Sequence, residues 1–298
     1  MSEQELTRIT PNEKKHMGIK TARVISNTLI YIVLTVMSII WLVPFVCIVI
    51  QSFRVESTKM EPYVKPLQWG FDNYINLFKK TDFLKWFLRT FLIALIVSVT
   101  QTVFVLSMSY VLSRLRFKGR KALMNIMLVL GMFPGFLTMI VLFNVLSDLS
   151  MIKENAMPGL ILVYVASSGM GYYISKGFFD TIPRSLDEAA RVDGANRFQV
   201  FYKIIMPLAK PIVIYTILTA FMGPWGDFVF AATIAHHEPL GYNVAVGLNS
   251  LIETSTQLDM YYTVFCAGGV VVAIPITTLF MCMQKYYVEG VTGGAVKG

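Results

Sequence analysis

The chain has 298 residues, of which 55% are apolar, 13% aromatic and 15% charged, whereas a soluble domain carries about a quarter charged residues. That balance excludes an ordinary soluble globular domain and indicates a membrane protein. The formal net charge of +8 comes from Lys and Arg in short segments between apolar runs rather than on one face, which argues against nucleic acid as a partner.

Residues 1–27 are polar and are expected to form a cytoplasmic N-terminal tail. The apolar run after them is long and has no small-x-small cleavage signature, so it is expected to stay in place as an anchor. Crossing ~30 Å of hydrocarbon takes about 20 apolar residues. Six segments reach that length: 28–50, 90–112, 122–146, 157–175, 211–233 and 261–284. They are apolar on all faces, which argues against the alternating strands of a barrel. The expected class is all-α, a polytopic membrane protein with six transmembrane helices across 28–284 and a Gly-rich cytoplasmic tail over 285–298. Between the first two spans, 71–91 reads as an amphipathic helix (Tyr74, Leu77, Phe78, Trp86, Phe87) lying at the interface, with its lysines in the headgroup layer. Small residues at Ser167, Ser168, Gly169, Gly171, Gly268 and Gly269 read as close helix packing. Cys47, Cys266 and Cys282 all lie in apolar runs, without the spacing of a disulfide framework or metal site.

The loops set the orientation. With the N-terminus inside, inner segments hold eighteen Lys and Arg and outer segments eight, seven of those eight between Arg54 and Arg89. The expected topology is therefore N-in, C-in. The cluster Arg114, Arg116, Lys118, Arg120 and Lys121 reads first as a topology determinant and second as a lipid-headgroup contact.

Within the spans the one charged residue is Asp227. Proton- or sodium-coupled transport needs titratable or ion-coordinating groups at depth, and these spans nearly lack them. His236, His237 and Glu238 are adjacent on one loop, a poor geometry for a shared metal ion, so no metal site is expected. The sequence has no G-x-x-x-x-G-K-[ST] phosphate loop, so ATP would be hydrolysed by another chain.

The connection between the fourth and fifth spans is too polar to insert and too regular to be slack. Ser185 and Glu188 have capping-box spacing for a first helix, and Gly194 suits its left-handed stop. A second helix is expected over 195–205, with Phe198, Phe201 and Ile205 on one side, ended by Pro207. The expected product is a helix-turn-helix on the inner face, where Ala189 and Ala190 leave a low surface for another protein.

Glu188-Ala189-Ala190, then Gly194, Ile204, Met206 and Pro207, resembles the coupling-loop motif of ABC importer permeases, with Met206 where Leu is usual. The resemblance extends to the carbohydrate branch through Asp72-Asn-Tyr with Leu77-Phe78, Trp86, Arg114 to Arg120, Phe133-Pro-Gly135, Phe221-x-Gly-x-Trp225-x-Asp227-Phe228 and the ending from Tyr287. That ending resembles the second, smaller permease subunit of maltose-type transporters. Arg89 and Gly226 depart from the pattern, each standing where Asn is usual.

The resemblance implies a bacterial inner-membrane subunit that is not itself an enzyme and binds no cofactor, with ATP and Mg held by partner chains. It implies a homologous second permease, two cytoplasmic ATPases and an extracytoplasmic sugar-binding protein as partners, beside membrane lipid. It also implies that Glu188, Ala189, Ala190, Asp193, Gly194, Phe198, Ile204 and Pro207 couple to the ATPase, with Ser185 capping the loop helix. The tail residues Gly293, Gly294, Lys297 and Gly298 would reach the ATPase as well. Trp225 and Asp227 are candidates for the translocation path, although for Asp227 the first reading is that it organises a helix break among Gly223, Pro224 and Gly226. An oligosaccharide, maltodextrin-like, is the expected solute. An ATP-independent facilitator and a membrane signalling partner are the alternatives.

Overall fold

A computed structural model describes residues 11–55, 66–132, 135–167 and 169–295. Among these residues the chain is helical, with one isolated β-bridge between Arg54 and Trp69. Phe133, Pro134, Ser168, Lys297 and Gly298, singled out above from the sequence, lie outside the described residues.

Helix α1, Pro11–Ser52, begins well before the expected span and passes through Pro44. Its apolar side chains stay largely exposed, Trp41 at 71%. That suits a helix in hydrocarbon, where lipid tails are as apolar as leucine and burial brings little. Asn73, in α2 (Asp72–Lys80), fastens the end of α1. Its Nδ2 donates to Ser52 O at 3.0 Å and Arg54 O at 2.8 Å, and its Oδ1 accepts from Thr263 Oγ1 at 2.9 Å. The expected interfacial helix over 71–91 is thus two elements. It breaks at Thr81 and Asp82, and Phe83 opens the long helix α3, Phe83–Arg114. Leu77 and Trp86 face protein rather than an interface, 0% and 6% exposed.

Helix α3 is the central post. Its buried stripe, including Ile93, Ala94, Val97, Val105 and Leu106, repeats at helical spacing. Near its N-terminal end α12 (Val244–Ser250) lies so close that a Cβ on Gly247 would stand 2.1 Å from Trp86 Cδ2. Glycine is required there by the approach itself.

The third expected span divides into α4 (Arg120–Gly131) and α5 (Gly135–Asp148). The fourth divides into α6 (Ala156–Ala166) and α7 (Gly169–Thr181). The corner that follows holds α8, Arg184–Val192, and α9, Arg197–Leu208. The fifth expected span is α10 (Lys210–Gly226), followed after a break at Asp227 by α11 (Val229–Ala235). Helix α13, Ser255–Ala295, continues past the expected end at 284 and includes Gly293 and Gly294.

Among the described residues, four helical stretches are long and apolar enough to cross a membrane: Arg23–Ser52, Phe83–Arg114, Lys153–Thr181 and Ser255–Lys285. The pair α9 and α10, bent by 83°, makes a fifth if counted as one span.

Candidate functional site

The α8–α9 corner sits at the C-terminal end of α3. Helix α8 ends in a Schellman turn: Ala195 N donates to Ala190 O at 2.9 Å and Gly194 N to Arg191 O at 3.1 Å. Gly194 takes φ +85, a left-handed value that disfavours a Cβ. The start of α8 differs from the sequence expectation. Pro183 occupies the cap position, without a side-chain cap hydrogen bond. Ser185 is already inside the helix, and a residue with helical dihedrals cannot cap it. The reciprocal capping box stands instead at the second helix. Asn196 Oδ1 accepts from Gln199 N at 2.9 Å, and Gln199 Oε1 from Asn196 N at 2.8 Å.

Helix α9 therefore starts at Arg197, and Pro207 does not stop it. Residues Val200–Ile205 form a π-helical turn, the wider winding often met as a local bulge at functional sites. The chain then passes Pro207 to Leu208 before it breaks at Ala209. This winding changes which side chains share a face. Val200 and Ile205, five apart, are the buried pair, 1% and 0% exposed. Phe198, expected beside Phe201 and Ile205, turns out to the surface at 73% exposed. It stacks on Tyr202, rings 6.5 Å apart and 6° from parallel.

Two surfaces result. One is a root of Leu106, Tyr110, Phe179, Ile182, Ala190, Val200, Ile205, Ala209 and Ile212, with Phe201 and Ile204 packed against it. Ala190 was expected on the open surface, yet it is 8% exposed and belongs to this root. Only Ala189 of the alanine pair stays open. The other surface carries Glu188, Ala189, Asp193 and Pro207, all exposed, with the apolar Val192 at 87%, Phe198 and Tyr202 at 66%. The sequence reading missed Val192 and Tyr202. No periodicity points to them, because their exposure follows from the turn and the π winding.

Polar bonds fix the root to α3. Arg114 Nη2 donates to Ile182 O at 2.8 Å, and its Nε lies 3.2 Å from Asp187 Oδ2, with the side chains 3% and 15% exposed. In return Arg184 Nη2 donates to Ser113 O at 3.1 Å. Ser113 Oγ donates to Asp180 Oδ1 at 2.6 Å, and Lys176 Nζ holds Asp180 Oδ2 at 2.5 Å. Burial pushes the Asp187 carboxyl above the usual carboxylate range, against the pull of Arg114 and Arg184.

Away from the corner, Asp227 organises the break after α10. Its Oδ1 accepts from Phe230 N at 3.1 Å, its Oδ2 accepts from Tyr164 Oη at 2.6 Å, and its carbonyl accepts from Asn243 Nδ2 at 2.7 Å. The same residue lines a cavity of about 500 Å3 with Thr138, Tyr164, Ser167 and Phe230. Trp225 is not among the lining residues. It is 3% exposed, edge-on to Phe87 with ring centroids 5.2 Å apart. His236 and His237 both adopt positive φ, 46 and 62, with ring centroids 6.1 Å apart. Among the described residues no group of three His, Cys, Asp or Glu is placed to hold a metal ion.

Comparison with known proteins gives a family match over residues 106–293, described as a binding-protein-dependent transport system inner membrane component. The maltodextrin transport system permease protein MalD of Streptococcus pneumoniae is 34% identical over 282 residues, covering 94% of this chain and 99% of the relative. The galactooligosaccharides transport system permease protein GanQ of Bacillus subtilis is 34% identical over 283 residues, covering 94% of this chain and 98% of the relative. Among solved structures, a chain of a bacterial ABC transporter involved in alginate import superposes with a TM-score of 0.74 at 23% identity, covering 89% of this chain and 98% of that one. That likeness shows the fold.

Proposed function

The chain belongs to the family of binding-protein-dependent transport system inner membrane components, and from that membership we propose that it is one permease half of an importer whose solute is a sugar. It is a transport subunit of the bacterial inner membrane and carries no hydrolytic chemistry of its own. The observation that carries the reading is the α8–α9 corner. An exposed face of Glu188, Ala189, Val192, Phe198 and Tyr202 stands on a root packed into α3, α7 and α10. A partner gripping that face would move whole helices rather than a slack loop, the kind of rigid-body change that switches a gate.

The partners in this proposal are a second, homologous permease, two cytoplasmic ATPases docked on this corner and an extracytoplasmic sugar-binding protein. Asp193, Gly194, Ile204 and Pro207 shape the docking face, and Gly293 and Gly294 in the last turns of α13 bring the C-terminal end toward the ATPases. The proposed topology is six spans, N-in and C-in, with α4–α5, α6–α7 and α10–α11 each serving as one broken span. The Lys and Arg distribution supports that orientation. An oligosaccharide is common to the names of both relatives, the maltodextrin kind matching that of MalD, and the cavity beside Asp227 and Tyr164 is the proposed stretch of its path. Trp225 supports that stretch from behind as aromatic packing.

A cysteine cross-link tests the docking. In a chain with Cys47, Cys266 and Cys282 replaced, Ala189→Cys should bond to a cysteine in the ATPase cleft, with a yield that changes on ATP binding. A yield no higher than that of a cysteine on α4 would refute this use of the corner.

A further inference from the structure

The bend between α3 and α4 has a construction that importer function does not account for. Arg116, Phe117, Gly119, Arg120, Lys121, Ala122 and Met124 line an open cavity of about 550 Å3, inside the range of ~300–1,000 Å3 typical of small-ligand sites. Three of these seven residues are cations. Among the described residues no carboxylate lies within ion-pair distance of them. The nearby carboxylate Asp180 is already engaged by Lys176 and Ser113, and Arg120 Nε is buried without a hydrogen-bond partner. Gly119, at φ +87, precedes α4 with no side-chain cap and no acidic residue in the first turn. The positive end of that helix dipole adds to the same field. The chemistry that satisfies this cavity is a phosphate with several acceptor oxygens.

The surroundings identify the phosphate's source. Helix α4 has no buried residue. Beyond Arg120 it exposes Ile126 at 56%, Val129 at 56% and Leu130 at 63%, and Phe117 at the mouth is 42% exposed. From Arg120 to Leu130 the helix rises ~15 Å, half of the ~30 Å hydrocarbon core. A soluble phosphate has no use for that apolar strip, whereas the acyl chains of a lipid do. We propose that the α3–α4 bend is a binding site for one anionic phospholipid. Its phosphate lies between Arg116, Arg120 and Lys121, and its chains run along α4. The site is then a fixed lipid anchor beside the root of the α8–α9 corner, since Tyr173 on α7 donates to Met124 O. The leaflet it faces follows from the orientation proposed above; the binding itself does not.

The test uses the full-length chain in its transporter complex, delipidated in detergent and titrated separately with phosphatidylglycerol, phosphatidylcholine and inorganic phosphate. Bound species are counted by native mass spectrometry. The wild type should retain phosphatidylglycerol in preference to phosphatidylcholine. R120Q should weaken that binding on the order of fivefold, the effect of about one interfacial cation. K118Q, which removes the same charge from the same loop but does not line the cavity, should weaken it clearly less. Equal retention of the two lipids by the wild type would overturn the proposal whatever the variants do. Equal losses in R120Q and K118Q would reduce the site to diffuse surface charge and overturn it as well. Phosphatidylglycerol bound no more tightly than inorganic phosphate would refute the lipid assignment, and R120Q losing the ATPase while keeping its lipid would make the cavity a partner contact. No transport is measured, so a negative result leaves the importer reading standing.

Discussion

Gly194 offers a perturbation whose cost is readable from backbone geometry alone. A Cβ at this position meets nothing within 4 Å, yet the residue sits at φ +85, where an L-residue costs about 1–2 kcal/mol and a β-branched one at least the upper figure. Since 1.4 kcal/mol is a factor of ten in an equilibrium constant, G194V should shift the equilibrium between the native and the opened corner on the order of tenfold or more against the native turn. The carbonyls of Ala190 and Arg191 would lose their Schellman partners with it. G194A should fall between, and G194N, which tolerates the left-handed region, should stay near wild type. The assay is the ATPase recovered with the purified chain and its solute-stimulated hydrolysis, beside thermal unfolding of the transmembrane part, which should not move. Wild-type coupling in G194V, or a loss in G194N as large as in G194V, would refute a conformational role.

Three further outcomes are expected. D187A leaves Arg114 buried without its acid, a class of change that costs about 3–5 kcal/mol. It should lower the thermal midpoint of the complex, and R114A/D187A should recover part of the loss. Y164F removes the hydroxyl bonded to Asp227 at 2.6 Å and should cost about 1.5–3 kcal/mol for a charge-assisted bond. Read in equilibrium unfolding and solute KM together, a changed KM at unchanged stability would favour a path role, and lost stability alone a purely structural one. Deletion of residues 289–298 should lower coupled hydrolysis with membrane insertion intact; unchanged hydrolysis would make the segment passive.

What the sequence carried well were features with local causes. The long apolar runs mark the helices, and Gly194 marks the turn because a left-handed residue has few alternatives. Asp227 was legible as a break because one carboxylate among apolar residues needs donors, which Tyr164, Phe230 and the neighbouring backbone supply. Other features had distant causes. The start of α8 is set by Pro183 and by Arg184 reaching Ser113, 71 residues back, so the Ser185–Glu188 spacing was a capping signal without a cap. The Asn196–Gln199 pair was the same signal in working form, and it was readable in the sequence. The π winding of Val200–Ile205 was not, since it brings together residues five apart and turns Phe198 outward. Ala190 looked open because a small residue in a polar segment gives no hint of the wall behind it.

Uptake by sealed proteoliposomes tests the central claim most directly. The chain is reconstituted with its partner permease, ATPases and binding protein, labelled maltodextrin is supplied on the binding-protein side, and ATP is sealed on the side of residues 188–207. Accumulation above the external concentration is predicted with ATP on that side, none with ATP on the other side alone, and clearly reduced accumulation with G194V when ATP is on the productive side. Equilibration of the sugar at the same rate without ATP would contradict the account and make the chain a facilitator.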